Sequence, residues 1–175
     1  MLRLLILLLL ISCSTLKSQF VSGNVRVDGL TCSMCSKTVH KALFELAFID
    51  SLTPDLQTAS FKIVFKKGVP VDPEAMLGKI TGAGFSIGEL KLDFKFSNFD
   101  AQSSVVLFKD NMQYHFFGIK EGTLDGEKSF KIMNKRFVSK KQYKAYSKDP
   151  KYKAGLVFDK DMCGTANLNY FAVTF

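Results

Sequence analysis

A chain of 175 residues that is 47% hydrophobic and 13% aromatic can bury a core, so its composition excludes an intrinsically disordered protein. The formal charge of +8 lies mainly in the second half: residues 1–90 carry nine basic and seven acidic side chains, whereas residues 91–175 carry fifteen and nine. Such an excess can attract an anionic partner, but it is more often a solvated surface. We therefore do not predict nucleic-acid binding.

The first residues predict export. The run from Leu4 to Ile11 is unbroken and apolar, too short to span a bilayer but typical of a signal-peptide core. Leu10-Ile11-Ser12-Cys13 resembles the bacterial lipobox, and this resemblance implies that Cys13 is lipidated and anchors the mature chain to a membrane. The alternative is an ordinary leader cleaved near Ser18 or Gln19. Both predict the bacterial cell envelope, lipid-anchored or periplasmic, and we assign residues 1–19 to leader and tether.

Residues 20–92 predict six elements in the order βαββαβ. They are a strand at 25–28, a helix at 33–48, strands at 49–53 and 60–65, a helix that starts at Asp72-Pro73-Glu74 and ends by Gly84, and a strand at 85–92, with a turn at Pro54-Asp55. This order, in about seventy residues, is that of ferredoxin-like folds. The fold class we predict is α+β.

Residues 93–175 predict a second, β-rich domain. Extended segments are expected at 93–99, 103–108, 112–119, 128–133, 156–159 and 170–175, with turns at 109–111 and 124–126. One helix is expected at 140–148 with Ser139 as its N-cap. Strands interrupted by one helix suggest a small antiparallel β-barrel or a curled sheet, with an OB-like order as the best guess.

Two cysteines stand where the first strand gives way to the first helix. Cys32 and Cys35 have Cys-x-x-Cys spacing, and the positive end of a helix dipole stabilises thiolates there. Such a pair can bind a soft metal, cycle between dithiol and disulfide, or supply half of a structural zinc site. Structural zinc is disfavoured because only Cys163, His40 and His115 remain as further Cys or His ligands after the leader.

The residues around the two thiols distinguish among these functions better than the spacing of the thiols does. Val-Asp-Gly-Leu-Thr-Cys-Ser-Met-Cys at 27–35, inside a βαββαβ unit that ends in Gly-Ala-Gly-Phe at 82–85, resembles the heavy-metal-associated domain. That family includes copper chaperones, modules of metal-pumping ATPases and the periplasmic mercury-binding protein. The resemblance covers residues 24–91 and implies that Cys32 and Cys35 bind Cu(I), or another ion such as Hg, Ag or Zn. It also implies a transporter or chaperone as metal-exchange partner.

The same resemblance assigns three supporting residues. Thr31 matches the residue before the first cysteine, and Phe85 matches the aromatic or basic residue opposite the metal loop. Leu30 stands where the family usually has Met and keeps an apolar side chain beneath the loop. The chain departs from the family in its predicted location. The family's chaperones are largely cytosolic and reduced, whereas an exported dithiol is exposed to oxidation to a disulfide.

Other soft ligands are weaker candidates. Met34 lies between the thiols, but a residue there more often points to solvent, and His40 is expected on the surface of the helix. A second soft site in the other half would need Cys163 together with side chains for which core packing or exposure is the simpler interpretation, namely Met112, Tyr114, His115 and Met133.

No catalytic constellation is visible, so we do not predict an enzyme. Two alternatives to metal capture remain open. The cysteine pair could serve a thiol–disulfide redox protein, although such proteins usually have a thioredoxin-like frame and a nearby Trp or Pro, and this chain has no Trp. The first domain could instead be an adaptor whose basic C-terminal half docks a partner or an anionic polymer.

Overall fold

The computed structural model describes residues 19–101, 106–117, 122–153 and 169–175, which form eight strands, three helices and a further helical stretch at 150–153. The strands are β1 Gln19–Asp28, β2 Ile49–Asp55, β3 Ser60–Phe65, β4 Ser86–Ala101, β5 Val106–Lys109, β6 Met112–Phe116, β7 Gly122–Ile132 and β8 Asn169–Thr174. The helices are α1 Ser33–Phe44, α2 Pro73–Gly82 and α3 Lys140–Lys148.

The first unit has the predicted ferredoxin-like fold. Its strands lie in the order β2-β3-β1-β4, and each neighbouring pair is antiparallel. Alternation in β3 buries Phe61, Ile63 and Phe65 and leaves Lys62 and Val64 exposed. The buried strand residues share one core with apolar residues of α1 and α2, so these two helices cover one face of the sheet.

Helix boundaries follow local chemistry at one helix and tertiary packing at the other. At α2 the Asp72 carboxylate accepts hydrogen bonds from the backbone N–H groups of Glu74 and Ala75, at 2.8 and 3.1 Å, as its N-cap position predicts. The first helix was expected to reach Phe48, but α1 ends at Phe44. Phe48 is instead buried, and its carbonyl accepts the Lys66 N–H at 2.9 Å.

The second half extends the first sheet. β4 is 16 residues long and pairs with β1 on one side and β7 on the other, which gives an eight-stranded sheet of order β2-β3-β1-β4-β7-β8-β6-β5. The β-rich character of this half, with few helices, is confirmed. The expected all-antiparallel barrel is not what the described strands form, because β6 and β8 are parallel and the sheet is open with β2 and β5 at its edges.

The predicted boundary at 92–93 falls inside β4, and one core spans both sides of it. The Phe20 ring of β1 lies 5.0 Å from Phe94, 5.4 Å from Tyr114 and 6.2 Å from Phe130, measured between ring centroids. A second, smaller cluster joins Met133 and Ala172 to partly buried aromatic residues of α3 and its surroundings. The division into domains stays a prediction, but the packing is continuous.

The turn predictions had mixed outcomes. The turn at 109–111 is confirmed: it joins β5 to β6, and Asp110 and Asn111 adopt the positive φ angles of 53° and 63° that a tight hairpin needs. The turn expected at 124–126 is wrong, since these residues lie inside β7, where Gly126 has φ of 74°. Pro54 and Asp55 end β2, and the turn follows at residues 56–59, two residues later than predicted.

α3 begins and ends as predicted, with Ser139 and Gln142 forming a capping box. The strand expected at 156–159 lies outside the described residues. Within the described ranges, none of the helices combines the length and apolar character required to cross a membrane.

Candidate metal centre

The Cys-x-x-Cys loop runs from the end of β1 to the first turn of α1. Gly29 turns the chain out of the strand with φ of 89°. Leu30 then points inward and is 7% exposed, whereas Thr31 and Cys32 are exposed. Cys35 is partly buried and packs against the core. The loop therefore presents one sulfur to solvent and holds the other against the domain.

The two cysteines are joined by a disulfide, with their Cα atoms 5.2 Å apart. Cys32 is the N-cap of α1: its Sγ accepts a hydrogen bond from the Cys35 N–H at 3.1 Å, and its carbonyl accepts the Ser36 N–H at 3.0 Å. The structure thus holds the pair in its oxidised form, in which neither sulfur is available as a thiolate ligand.

The electrostatic setting of the loop favours thiolates once the pair is reduced. The first turn of α1 contains no acidic residue, so the partial positive charge of the helix N-terminus is not offset there. Asp28, at the end of β1, is already paired with Arg26 at 2.5 Å. A Cys32 thiolate would also keep the hydrogen bond from the Cys35 N–H.

Two of the three supporting residues lie on the inner side of the loop. Leu30 is buried beneath it, and the Phe85 ring is close enough that a Cβ built on Gly29 would lie 3.7 Å from it. Thr31 stays on the exposed side. The structure brings Leu30 and Phe85 to the loop, and their functional roles stay predictions.

The other residues near the thiols face away from a two-sulfur site. The Met34 side chain is 67% exposed, and the His40 ring stacks on Phe44 with centroids 5.8 Å apart. Among the described residues, no group of three or more His, Cys, Asp or Glu side chains is placed to hold a metal ion.

The second soft site considered from the sequence is packed into the core instead. Met112, Tyr114 and Met133 are buried, and the Tyr114 hydroxyl donates to the Met112 sulfur at 3.5 Å. Burial raises the pKa of Tyr114, with Asp110 and Asp72 adding to the shift. Burial also lowers the pKa of His115, which lies 3.3 Å from the Gln113 side chain. Cys13 and Cys163 lie outside the described residues.

Sequence reasoning missed the contact between Gly88 and the pair formed by Arg26 and Asp28. A Cβ at Gly88 would lie only 2.2 Å from the Asp28 carboxylate and 2.5 Å from the Arg26 guanidinium. A glycine inside a strand often marks such a close approach, and this was the available signal. Gly88 lets the ion pair lie flat against β4 beside the metal loop.

The comparison with protein families decides the nature of this unit. The model of the heavy-metal-associated domain matches residues 24–86. Residues 24–86 are a heavy-metal-associated domain. The matched range contains the second half of β1, the loop with both cysteines, α1, β2, β3 and α2. It ends at Ser86, the first residue of β4. The match implies that this domain binds a metal.

Solved structures similar to the heavy-metal-associated domain each cover about two fifths of the chain, with a TM-score of 0.34. The CopZ metallochaperone is 18% identical and covers 41% of this chain and 98% of its own. Oxidized MerP from Ralstonia metallidurans CH34 is 23% identical, covering 41% and 97%. The yeast copper transporter domain Ccc2a is 22% identical, covering 38% and 90%. A search of curated proteins found no match.

Proposed function

We propose that the chain is an exported protein that captures Cu(I) through Cys32 and Cys35, for transfer to a partner or for sequestration. The observation that carries the proposal is the cysteine pair at the N-terminus of α1 in a heavy-metal-associated domain. Two soft thiolates suit Cu(I), which accepts low coordination numbers, better than they suit hard cations. Silver and mercury ions share this preference, and zinc is a weaker candidate.

Capture requires that the disulfide be reduced first. A dithiol reductant supplies two electrons and two protons, the sulfur–sulfur bond breaks, and the reductant leaves as its own disulfide. Cu(I) then replaces the two thiol protons, which go to solvent. Cys32 is the accessible sulfur for the attacking thiolate, and Cys35 leaves as a thiolate within the first turn of α1.

Release to a partner can proceed without prior loss of the metal. Because Cys32 and Met34 are exposed, a thiolate of an incoming protein can reach the metal from the solvent side while both cysteines still hold it. The bond to Cys32 would break first, since Cys35 is packed against the core. The partner expected is a metal transporter or another chaperone, with no enzymatic step in this chain.

Export supports a location in the bacterial cell envelope. The apolar run from Leu4 to Ile11 is the signal-peptide core that we propose, and Cys13 is the proposed site of lipidation. An anchored form would keep the metal domain at the membrane surface, near a transporter.

Copper titration of the reduced protein under anaerobic conditions tests the proposal. We expect one Cu(I) per chain in competition with a Cu(I) chelator, and loss of this binding in both Cys32→Ser and Cys35→Ser because one thiolate is not enough. Met34→Leu is the matched control and should keep the wild-type affinity, since Met34 points to solvent. Stoichiometric copper retained by the Cys32→Ser/Cys35→Ser variant would refute the proposal.

A thiol–disulfide redox function is the second candidate, because the pair is oxidised in the structure. It would be supported by a reduction potential in the oxidoreductase range of roughly −120 to −270 mV together with disulfide reductase activity. The ferredoxin-like frame argues against it, since these enzymes usually have a thioredoxin-like one.

A further inference from the structure

A groove of about 800 Å³ lies between α2 of the metal-binding domain and the segment 135–141 of the basic half. One wall is α2, with Glu74, Leu77, Gly78 and Thr81, and the other is the segment 135–141 that leads into α3. The apolar residues Leu77, Ile87 and Val138 lie at its base and are themselves almost fully buried. The groove is thus a concave surface with an apolar base and polar walls.

The two walls are fixed to each other and to the sheet. The Arg136 guanidinium donates to both Glu74 carboxylate oxygens at 2.6 Å, across the groove. The Ser139 N–H donates to the Gly88 carbonyl at 3.0 Å, and Val138 forms an isolated bridge with Glu89 of β4. These contacts hold the second wall along β4, so the groove exists before anything binds in it.

The charge of the groove is positive after its own ion pairs are counted. Its two carboxylates, Asp28 and Glu74, are paired with Arg26 and Arg136. Lys140 and Lys141 are exposed on the rim, and in the described part of the chain neither has an ion-pair partner. They open α3, whose first turn contains no acidic residue. The rim therefore favours an anionic group.

One end of the groove reaches the metal loop. Asp28, which lines the groove, directly precedes Gly29 and is paired in register with Ser86 across β1 and β4. Ser86 also lines the groove and directly follows Phe85, whose ring lies near Gly29. A molecule seated in the groove would therefore reach the residues that precede the metal loop.

We propose that this groove docks an acidic segment of the protein that exchanges metal with Cys32 and Cys35. The proposal rests on the proposed function and adds the partner's charge and its place of contact. A polypeptide fits better than a bilayer because side chains can enter a concave surface. A flat anionic membrane would not distinguish the lysines that line the groove from Lys144 and Lys148, which are exposed on the same helix but do not line it.

The test uses the full chain and a fluorescein-labelled decapeptide of Asp, Glu and Ala residues, followed by anisotropy. We expect the wild-type protein to bind it and to lose affinity about tenfold or more in Lys140→Glu/Lys141→Glu. Lys144→Glu/Lys148→Glu is the matched control: it changes the net charge equally on the same helix, and its affinity should fall by less than about threefold. The milder Lys140→Gln/Lys141→Gln should weaken binding to an intermediate degree.

Equal losses in the two Glu variants, or no binding of the peptide by the wild type, would overturn the proposal. Stronger binding to vesicles of equimolar phosphatidylcholine and phosphatidylglycerol than to the peptide would also overturn it and indicate a membrane surface. Cu(I) titration of the same variants should be unchanged. A failure of copper binding alone counts against the proposed function, whereas a failure of peptide binding alone counts against the groove.

Discussion

Gly29 converts the extended backbone of β1 into the metal loop. Its φ of 89° lies in a region that L-residues with a Cβ enter only at a cost, so the position requires glycine for conformational reasons. Gly78 is different, because it lies inside α2, is exposed, and has open space where a Cβ would be. The two glycines should therefore respond in opposite ways to the same substitution.

Gly29→Ala should lower the free energy of unfolding by about 1–2 kcal/mol through backbone strain. Gly78→Ala should raise it by about 0.5–1 kcal/mol, because alanine loses less backbone entropy in a helix. Urea unfolding of both variants beside the wild type measures the two changes. If both substitutions changed the free energy of unfolding in the same direction, the positive φ at Gly29 would not be what requires glycine there.

At the scale of elements, Glu89 joins β4, β7 and the start of α3. Its carboxylate lies 3.2 Å from the Lys91 ammonium and 3.0 Å from that of Lys131, and the Gln142 side-chain amide donates to it at 3.4 Å. Burial alone would raise the pKa of Glu89, but the hydrogen bonds from Lys131 and Lys91 prevail and lower it. The ionised form is therefore the one that the folded state favours.

This lowered pKa predicts a pH dependence. Because the folded pKa is below the unfolded value, the contribution of Glu89 to stability is present above the unfolded pKa and is lost as the pH falls through the folded pKa. Between about pH 5 and pH 3, Glu89→Gln should flatten the loss of stability seen in the wild type, and Lys131→Met should flatten it partly. Urea unfolding across this range is the measurement, and a slope unchanged in both variants would contradict it.

The elements also show what a sequence can predict. Ser60–Phe65 and Lys140–Lys148 were predicted to the residue because β-branched alternation and an N-cap serine are local signals. The end of α1 and the residues 124–126 were not, because pairing with distant strands determines both. Continuity of the sheet through β4 is also nonlocal, because it depends on the pairing of β4 with both β1 and β7. No pattern of residues within β4 predicts this pairing.

At the scale of the whole molecule, Phe20 connects the two halves of the core. It belongs to β1 of the metal-binding unit, yet its ring contacts Phe94 of β4, Tyr114 of β6 and Phe130 of β7. The same hydrophobic cluster contains buried residues from both sides of position 92. Unfolding of one half would expose apolar surface of the other, so the two should unfold together.

Phe20→Ala should therefore lower the free energy of unfolding by about 3–5 kcal/mol while keeping a single transition. Phe44→Ala is the matched control, because its side chain is 55% exposed and it loses only the stack on His40, so it should lower stability by less than about 1.5 kcal/mol. Thermal and urea unfolding followed by far-UV and near-UV circular dichroism measure both. Two separate transitions in the wild type would contradict the shared core.

The candidate site was predictable to the extent that its chemistry is local. Cys32 and Cys35 follow from a motif of adjacent residues, and the burial of Leu30 follows from its apolar character. The groove did not follow, because Asp28, Glu74 and Lys140 meet only through the packing of the segment 135–141 along β4. The oxidation state of the pair also lies beyond sequence, since it depends on the two sulfurs meeting within the folded loop.

The length of β4 has a mechanical consequence. Its first residues line the groove beside the metal loop, and its last residues pair with β7 in the basic half, so one strand of 16 residues, with an irregularity at Asn98, links the two regions. The cysteine loop and the wall of the groove are therefore attached to the same end of one strand, at Asp28–Ser86 and Gly88–Ser139. Under the proposed function, a partner seated in the groove would keep a constant position relative to Cys32, and its own approach and departure would supply the movement of metal exchange.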